Sequence, residues 1–230
     1  MRMSSPGQTQ SVEEGGWIRN SKLAIACFAI FAILMVAQSL TGWRDRNNDA
    51  HDHHQPAISY PHYLTTGHFV EATFENWESE FLQMGAYIAL TMFLVQKGSA
   101  ESKDPVHEED DPESHAGDPD APWPVRRGGV WLTLYKNSLL AAFVFLFIGS
   151  WIGHALGGTA EYNANGAAHG QSPVSVLGYI RTSSFWFQSF QNWQSEFLAV
   201  GAIVVLSIFL RQYRSPESKP VIAPNAETGS

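Results

Sequence analysis

Two uncharged apolar runs constrain this chain most: residues 23–40 (LAIACFAIFAILMVAQSL) and 139–156 (LLAAFVFLFIGSWIGHAL). Each reaches the ~18 apolar residues at which a helix begins to read as a membrane span. The first is longer than the apolar core of a cleaved signal peptide, and no small-x-small cleavage site follows it, so a retained helix is expected. The net charge of -8 comes largely from residues 101–120 rather than from these runs. No basic patch points to nucleic acid. The single cysteine, Cys27, lies within the first apolar run and reads as a small apolar residue.

The second constraint is an internal repeat. FENWESEFL at 74–82 returns as FQNWQSEFL at 190–198, differing only at two Glu/Gln positions. The register extends to Gly85 and Gly201, then to Gln96, Ser99, Glu101, Ser102 and Lys103, matched by Gln212, Ser215, Glu217, Ser218 and Lys219. Upstream, His53, Gln55, Ser59 and Tyr63 match His169, Gln171, Ser175 and Tyr179. The reading is a duplication of a two-helix unit. It predicts an all-α integral membrane protein with four transmembrane helices in two tandem, parallel repeats.

The expected organisation is a disordered cytoplasmic N-terminus (1–16), repeat 1 (17–103, spans at about 23–41 and 75–95) and an acidic, Pro-rich cytoplasmic linker (104–133). Repeat 2 follows (134–219, spans at about 138–156 and 191–210), then a disordered cytoplasmic tail (220–230). The second span of each repeat is short unless its helix starts near Phe74 and Phe190, with Trp77 and Trp193 as interfacial anchors. A short helix over 59–65 is expected in the first outer loop. Of the 14 Lys and Arg residues, only Arg44, Arg46 and Arg181 fall in the outer loops, which predicts an inner-membrane protein with both termini cytoplasmic.

Glu80 and Glu196 are the leading candidates for function. An ionisable side chain one turn inside an interfacial Trp is a functional-site hypothesis, and Asn76 and Asn192 precede them by one turn on the same face. Together with Trp77 and Trp193 they form a candidate polar patch. The competing reading is a first-turn carboxylate favoured by the helix dipole. His51, His53, His54, His62 and His68 form a candidate metal site in the first outer loop, although their spacing fits no standard ligand set. His154 within the third span reads as an interhelical hydrogen-bonding group before a proton relay. Gly149-x-x-x-Gly153 has the spacing of a close helix approach. No phosphate loop, catalytic triad or dinucleotide fingerprint occurs, which lowers the expectation of an enzyme, and no cofactor is expected.

The repeated F-x-N-W-[EQ]-S-E-F-L motif, DAPWPVRRGG at 120–129 and SPESKP at 215–220 together resemble a bacterial family of small duplicated four-helix membrane proteins. That family is known only as a domain of unknown function. The resemblance runs from about Trp17 to Thr228. It implies a membrane architecture and a bacterial source and supplies no catalytic residue. The expected function is a non-enzymatic, self-associating or accessory component of a membrane complex, with the lipid bilayer and copies of itself or another subunit as partners. The alternatives are a small ion or proton channel using Glu80 and Glu196, or a membrane metal-binding protein using the histidines.

Overall fold

The structure, a computed structural model, describes residues 20–103 and 111–229, and these contain helices, turns and no strand. The expected N-terminal segment 1–16 and the start of the linker, 104–110, lie outside the described residues. The chain divides into two compact units, Met1–Leu64 and Thr65–Ser230. The first unit holds α1 (Lys22–Asp52) and the short α2 (Tyr60–Tyr63). The second holds α3 (Gly67–Phe93), a 3-10 turn (Pro112–His115), α4 (Trp123–Arg127), α5 (Gly129–Lys136), α6 (Ser138–Ala168), α7 (Val176–Ile180) and α8 (Ser183–Phe209).

By length and composition α1, α6 and α8 are apolar enough to cross a membrane. Helix α3 has the same 27 residues as α8, but Glu71, Glu75, Glu78 and Glu80 make it too polar for that class. Both α3 and α8 begin earlier than the apolar pattern suggests. Thr66 and Thr182 cap them, each side-chain oxygen accepting from the backbone N–H three residues on, Phe69 and Phe185. At 1.5 Å per residue, 27 residues cover about 40 Å, more than a ~30 Å hydrocarbon core. The polar stretch ahead of each NW motif is therefore helix rather than loop. Helices α1 and α6 likewise run well past the apolar stretches expected at 23–41 and 138–156, each to 31 residues.

Matching positions carry matching local bonds. Asn47 Oδ1 accepts from Ile58 N at 2.8 Å, and Asn163 Oδ1 accepts from Val174 N at 2.8 Å. Gln96 N donates to Ser102 Oγ at 2.9 Å, and Gln212 N to Ser218 Oγ at 2.8 Å. Tyr63 packs on Gly42, and Tyr179 packs on Gly158. The expected outer-loop helix is present as α2, with Ser59 as its N-cap.

In the second unit α3 and α6 run antiparallel. Phe74 covers Gly153, Glu78 meets His154, and the Phe81 ring lies 6.4 Å from that of Phe143. The close approach takes in Gly153 of the expected pair and, one turn on, Gly157 in place of Gly149. A Cβ at Gly157 would lie 2.5 Å from the backbone nitrogen of Glu71, whereas one at Gly149 would meet nothing within 4 Å. Helix α8 runs parallel to α3 and meets the same face of it that α6 does, and α7 bridges α6 and α8.

The C-terminal tail, expected to be disordered, is tied down. Lys219 is buried, and its ammonium donates to the carbonyls of Gly98 (2.5 Å), Glu227 (2.9 Å), Asn225 (3.1 Å) and Pro224 (3.3 Å). Arg211 adds bonds to Ala223 O and Asn225 Oδ1. These backbone acceptors give the tail a way to satisfy a buried charge, which composition alone does not reveal. Burial, and then the neighbouring Arg211, hold the Lys219 ammonium below its ordinary pKa. The linker is also partly helical, through the 3-10 turn, α4 and α5.

Two glycine substitutions test this packing. Gly149→Ala should stabilise the protein by up to about 1 kcal/mol through helix propensity. Gly157→Ala should cost about 1–3 kcal/mol, because the helix backbones must part. Thermal melts in detergent read both, and equal effects at the two sites would contradict the α3–α6 register.

Candidate functional site

The face of α3 bearing Glu71, Glu75 and Glu78, spaced four and then three residues apart, is a single helical stripe. It meets His154 of α6 and the Gln188, Asn192 and Trp193 stripe of α8. Glu78 and His154 are both fully buried, at 0% exposure. His154 Nδ1 lies 2.7 Å from Glu78 Oε2, and Trp193 Nε1 donates to Glu78 Oε1 at 2.9 Å. The carboxylate thus has both oxygens engaged, as a buried charge requires.

The second ring nitrogen extends the network. His154 Nε2 lies 3.3 Å from Gln188 Oε1, while Gln188 Nε2 donates to Glu71 Oε1 at 2.9 Å. Because a carboxylate only accepts, that second bond turns the Gln188 oxygen toward the imidazole. Both imidazole nitrogens then face acceptors, an arrangement complete when both donate, with an imidazolium beside the Glu78 carboxylate. Tyr179 on α7 directs its hydroxyl at Gln188 Oε1 (2.8 Å) and Glu71 Oε1 (2.9 Å), one proton between two acceptors. Burial first, and then the Glu71 carboxylate, push the Tyr179 phenol far above its ordinary pKa, so it remains a donor. Glu75 Oε1 accepts from Asn192 Nδ2 at 2.5 Å.

Aromatic rings seal the site. Phe185, at 0% exposure, stacks on the His154 ring with centroids 4.7 Å apart and 25° between planes, and Trp151 meets Phe185 edge-on at 5.5 Å. Phe185 follows the Thr182 cap by three residues, so the start of α8 aims the ring at His154.

The residues singled out from sequence divide between this site and the surface. Asn192 and Trp193 enter it, paired with Glu75 and Glu78. Asn76 is exposed and donates to Ala72 O of its own helix, while half-buried Trp77 packs edge-on against Phe74. Glu80 is exposed and Glu196 half-buried, and the Glu196 backbone carbonyl accepts from Gln83 Nε2 at 3.3 Å. His51, His53, His54 and His62 are exposed and His68 is half-buried. His53 Nδ1 faces the Asp49 carbonyl at 2.9 Å, and among the described residues no three His, Cys, Asp or Glu side chains converge as a metal site. Sequence reasoning passed over Glu75, Glu78 and Gln188, and read Glu71 only as a carboxylate near the histidines of the first outer loop. A signal existed at two of them: Glu75 and Glu78 are the positions where the repeated motif changes, to Gln191 and Gln194.

Three helices long and apolar enough to cross a membrane, two of them flanking a buried acid–imidazole pair, define a candidate multi-pass membrane protein. The chain belongs to the family described as a domain of unknown function, DUF6766, whose model matches residues 14–230. No curated protein and no solved structure matches it.

Breaking one side of the pair should be costly. Glu78→Gln or His154→Gln alone should each destabilise the protein, by up to about 3–5 kcal/mol where the remaining partner stays charged. The double variant carries the residues found at the matching positions, Gln194 and Gln38, and should lose less than the two singles summed. A double-mutant cycle by denaturant or thermal unfolding in detergent checks this, and strict additivity would contradict a coupled pair.

Proposed function

We propose that this protein is a four-span membrane protein whose α3–α6–α8 junction takes up and releases a proton, acting as a proton-responsive component of a membrane assembly. The observation that carries the reading is the fully buried Glu78–His154 pair. Ionisable groups held inside a helix bundle are expensive and are commonly retained for proton or ion handling. A string of hydrogen-bonded groups leads from this pair through Gln188 to Tyr179 and half-buried Glu71 at the loop end of the bundle. On its other side Glu78 meets the Trp193 indole, which donates but cannot accept, so the string ends there. A string open at one end favours proton uptake over conduction.

Helix α3 completes the four spans in this reading. It lies along α6, which is itself long and apolar enough to cross the membrane, and three of its carboxylates, those of Glu71, Glu75 and Glu78, face α6 and α8. The matched local bonds of the two halves, together with the sequence register, support a tandem duplication with parallel copies. The Lys and Arg distribution supports cytoplasmic termini and, with the bacterial resemblance, an inner-membrane location.

Glu80 supports self-association as part of the same reading. It is exposed on a helix packed against a spanning one, and a second copy would shield it from lipid. The outer-loop histidines do not converge and add no support to metal handling.

The test is a pH titration of the reconstituted protein, read by Trp fluorescence as the difference between wild type and Trp193→Phe. A Trp193 signal that changes with pH and vanishes in His154→Gln is expected, and an unchanged titration in His154→Gln contradicts the proposal. In liposomes carrying an internal pH dye, wild type should give no sustained proton flux. A flux abolished by Glu80→Gln with Glu196→Gln would instead establish a channel built on those two residues.

A further inference from the structure

The segment just ahead of α6 is the strongest feature outside this site. Helix α4 ends at Arg127 and α5 begins at Gly129, and Gly128 and Gly129 take φ of +65° and +57°. Those left-handed conformations suit glycine and fold the two short helices back on each other. The fold brings Trp123 and Trp131 edge-to-face at 5.3 Å, with the Arg127 guanidinium 5.5 Å from one ring centroid and 6.0 Å from the other. Around this stack Val130, Trp131, Leu134 and Tyr135 are exposed, and Arg126 is exposed beside Arg127. Neither arginine makes an ion pair with a carboxylate among the described residues. Of the acidic residues ahead of it in the sequence, Asp111 and Asp118 are turned into their own loops, Asp111 Oδ1 accepting from Glu113 N and Asp118 Oδ1 from Asp120 N.

Position decides what covers this surface. Asn137 is at once the C-cap of α5 and the N-cap of α6, so the collar leads directly into a helix long and apolar enough to span. Exposed aromatic and aliphatic side chains at the end of a span lie in the interfacial layer, where Trp and Tyr are favoured. Arg126 and Arg127 then stand at the depth of the headgroups, and a guanidinium matches a phosphate oxygen pair.

We infer that residues 123–136 form a binding collar for an anionic phospholipid headgroup, with Arg126 and Arg127 on the phosphate and Trp123 and Trp131 seated in the interface. The inference needs α6 to cross the bilayer and is independent of proton binding at Glu78 and His154.

Native mass spectrometry of the full chain in mild detergent, titrated with phosphatidylglycerol or phosphatidylcholine, tests it. Wild type should retain phosphatidylglycerol preferentially, and each arginine removed, in Arg126→Gln and Arg127→Gln, should weaken that binding about fivefold. Arg127→Lys should restore only part, since ammonium lacks the planar fork. Inorganic phosphate should not compete, because the site is built for a lipid at the interface. Lys22→Gln, at the start of α1, serves as the charge control and should leave the preference intact. Absence of a phosphatidylglycerol preference in wild type, or its persistence in the double arginine variant, overturns the proposal. Thermal melts of each variant in phosphatidylcholine alone separate loss of fold from loss of lipid.

Discussion

The contact between Glu78 and His154 sets the terms for the second unit. Two ionisable groups removed from water are costly unless each finds opposite charge and full hydrogen bonding. That demand explains why three helices meet where they do. Helix α6 supplies the imidazole, α3 the carboxylates, and α8 the amides and the indole that satisfy the remaining atoms. Glycines at 153 and 157 of α6 let α3 come close enough for a 2.7 Å contact, and Phe185 closes the imidazole face. Apolar pairs of the same volume often pack as well or better, so stability alone does not account for an ionisable pair here.

The site draws unequally on two stretches of sequence that resemble each other. Glu75, Glu78 and His154 face Gln191, Gln194 and Gln38 at matching positions in the sequence. The two stretches share local geometry: the Thr caps, the Asn clamps on the following turn and the Tyr on Gly contacts. The carboxylates and the imidazole of the site lie at positions where the two stretches differ. Shared residues make shared local bonds, as those of Asn47, Asn163, Ser102 and Ser218 illustrate.

This asymmetry also explains what the sequence could and could not yield. The long helices were legible because lipid-facing surface must be apolar along its whole length. The starts of α3 and α8 were not, since polar residues that pair with one another inside a bundle look like loop residues when each helix is read alone. Glu80 and Glu196 attracted notice by recurring, yet Glu80 is exposed, while the buried carboxylate is Glu78, two residues earlier on another face. Recurrence marks what the two stretches share, and a pairing made at positions where they differ is invisible to it. His154 was readable as an interhelical hydrogen-bonding group, but its partner was not, because nothing local in the sequence links positions 78 and 154. The ordered tail was missed for the same reason: the carbonyls around Lys219 come partly from Gly98, far away in the chain.

The most direct measurement of the central claim is the protonation state of His154 in lipid, read by nitrogen-15 solid-state NMR of histidine-labelled protein with His154→Gln as the subtraction reference. The account predicts that at neutral pH both ring nitrogens of His154 carry protons and that this signal reverts to a neutral tautomer in Glu78→Gln. A neutral imidazole in the wild-type protein at neutral pH, unchanged by Glu78→Gln, would contradict it.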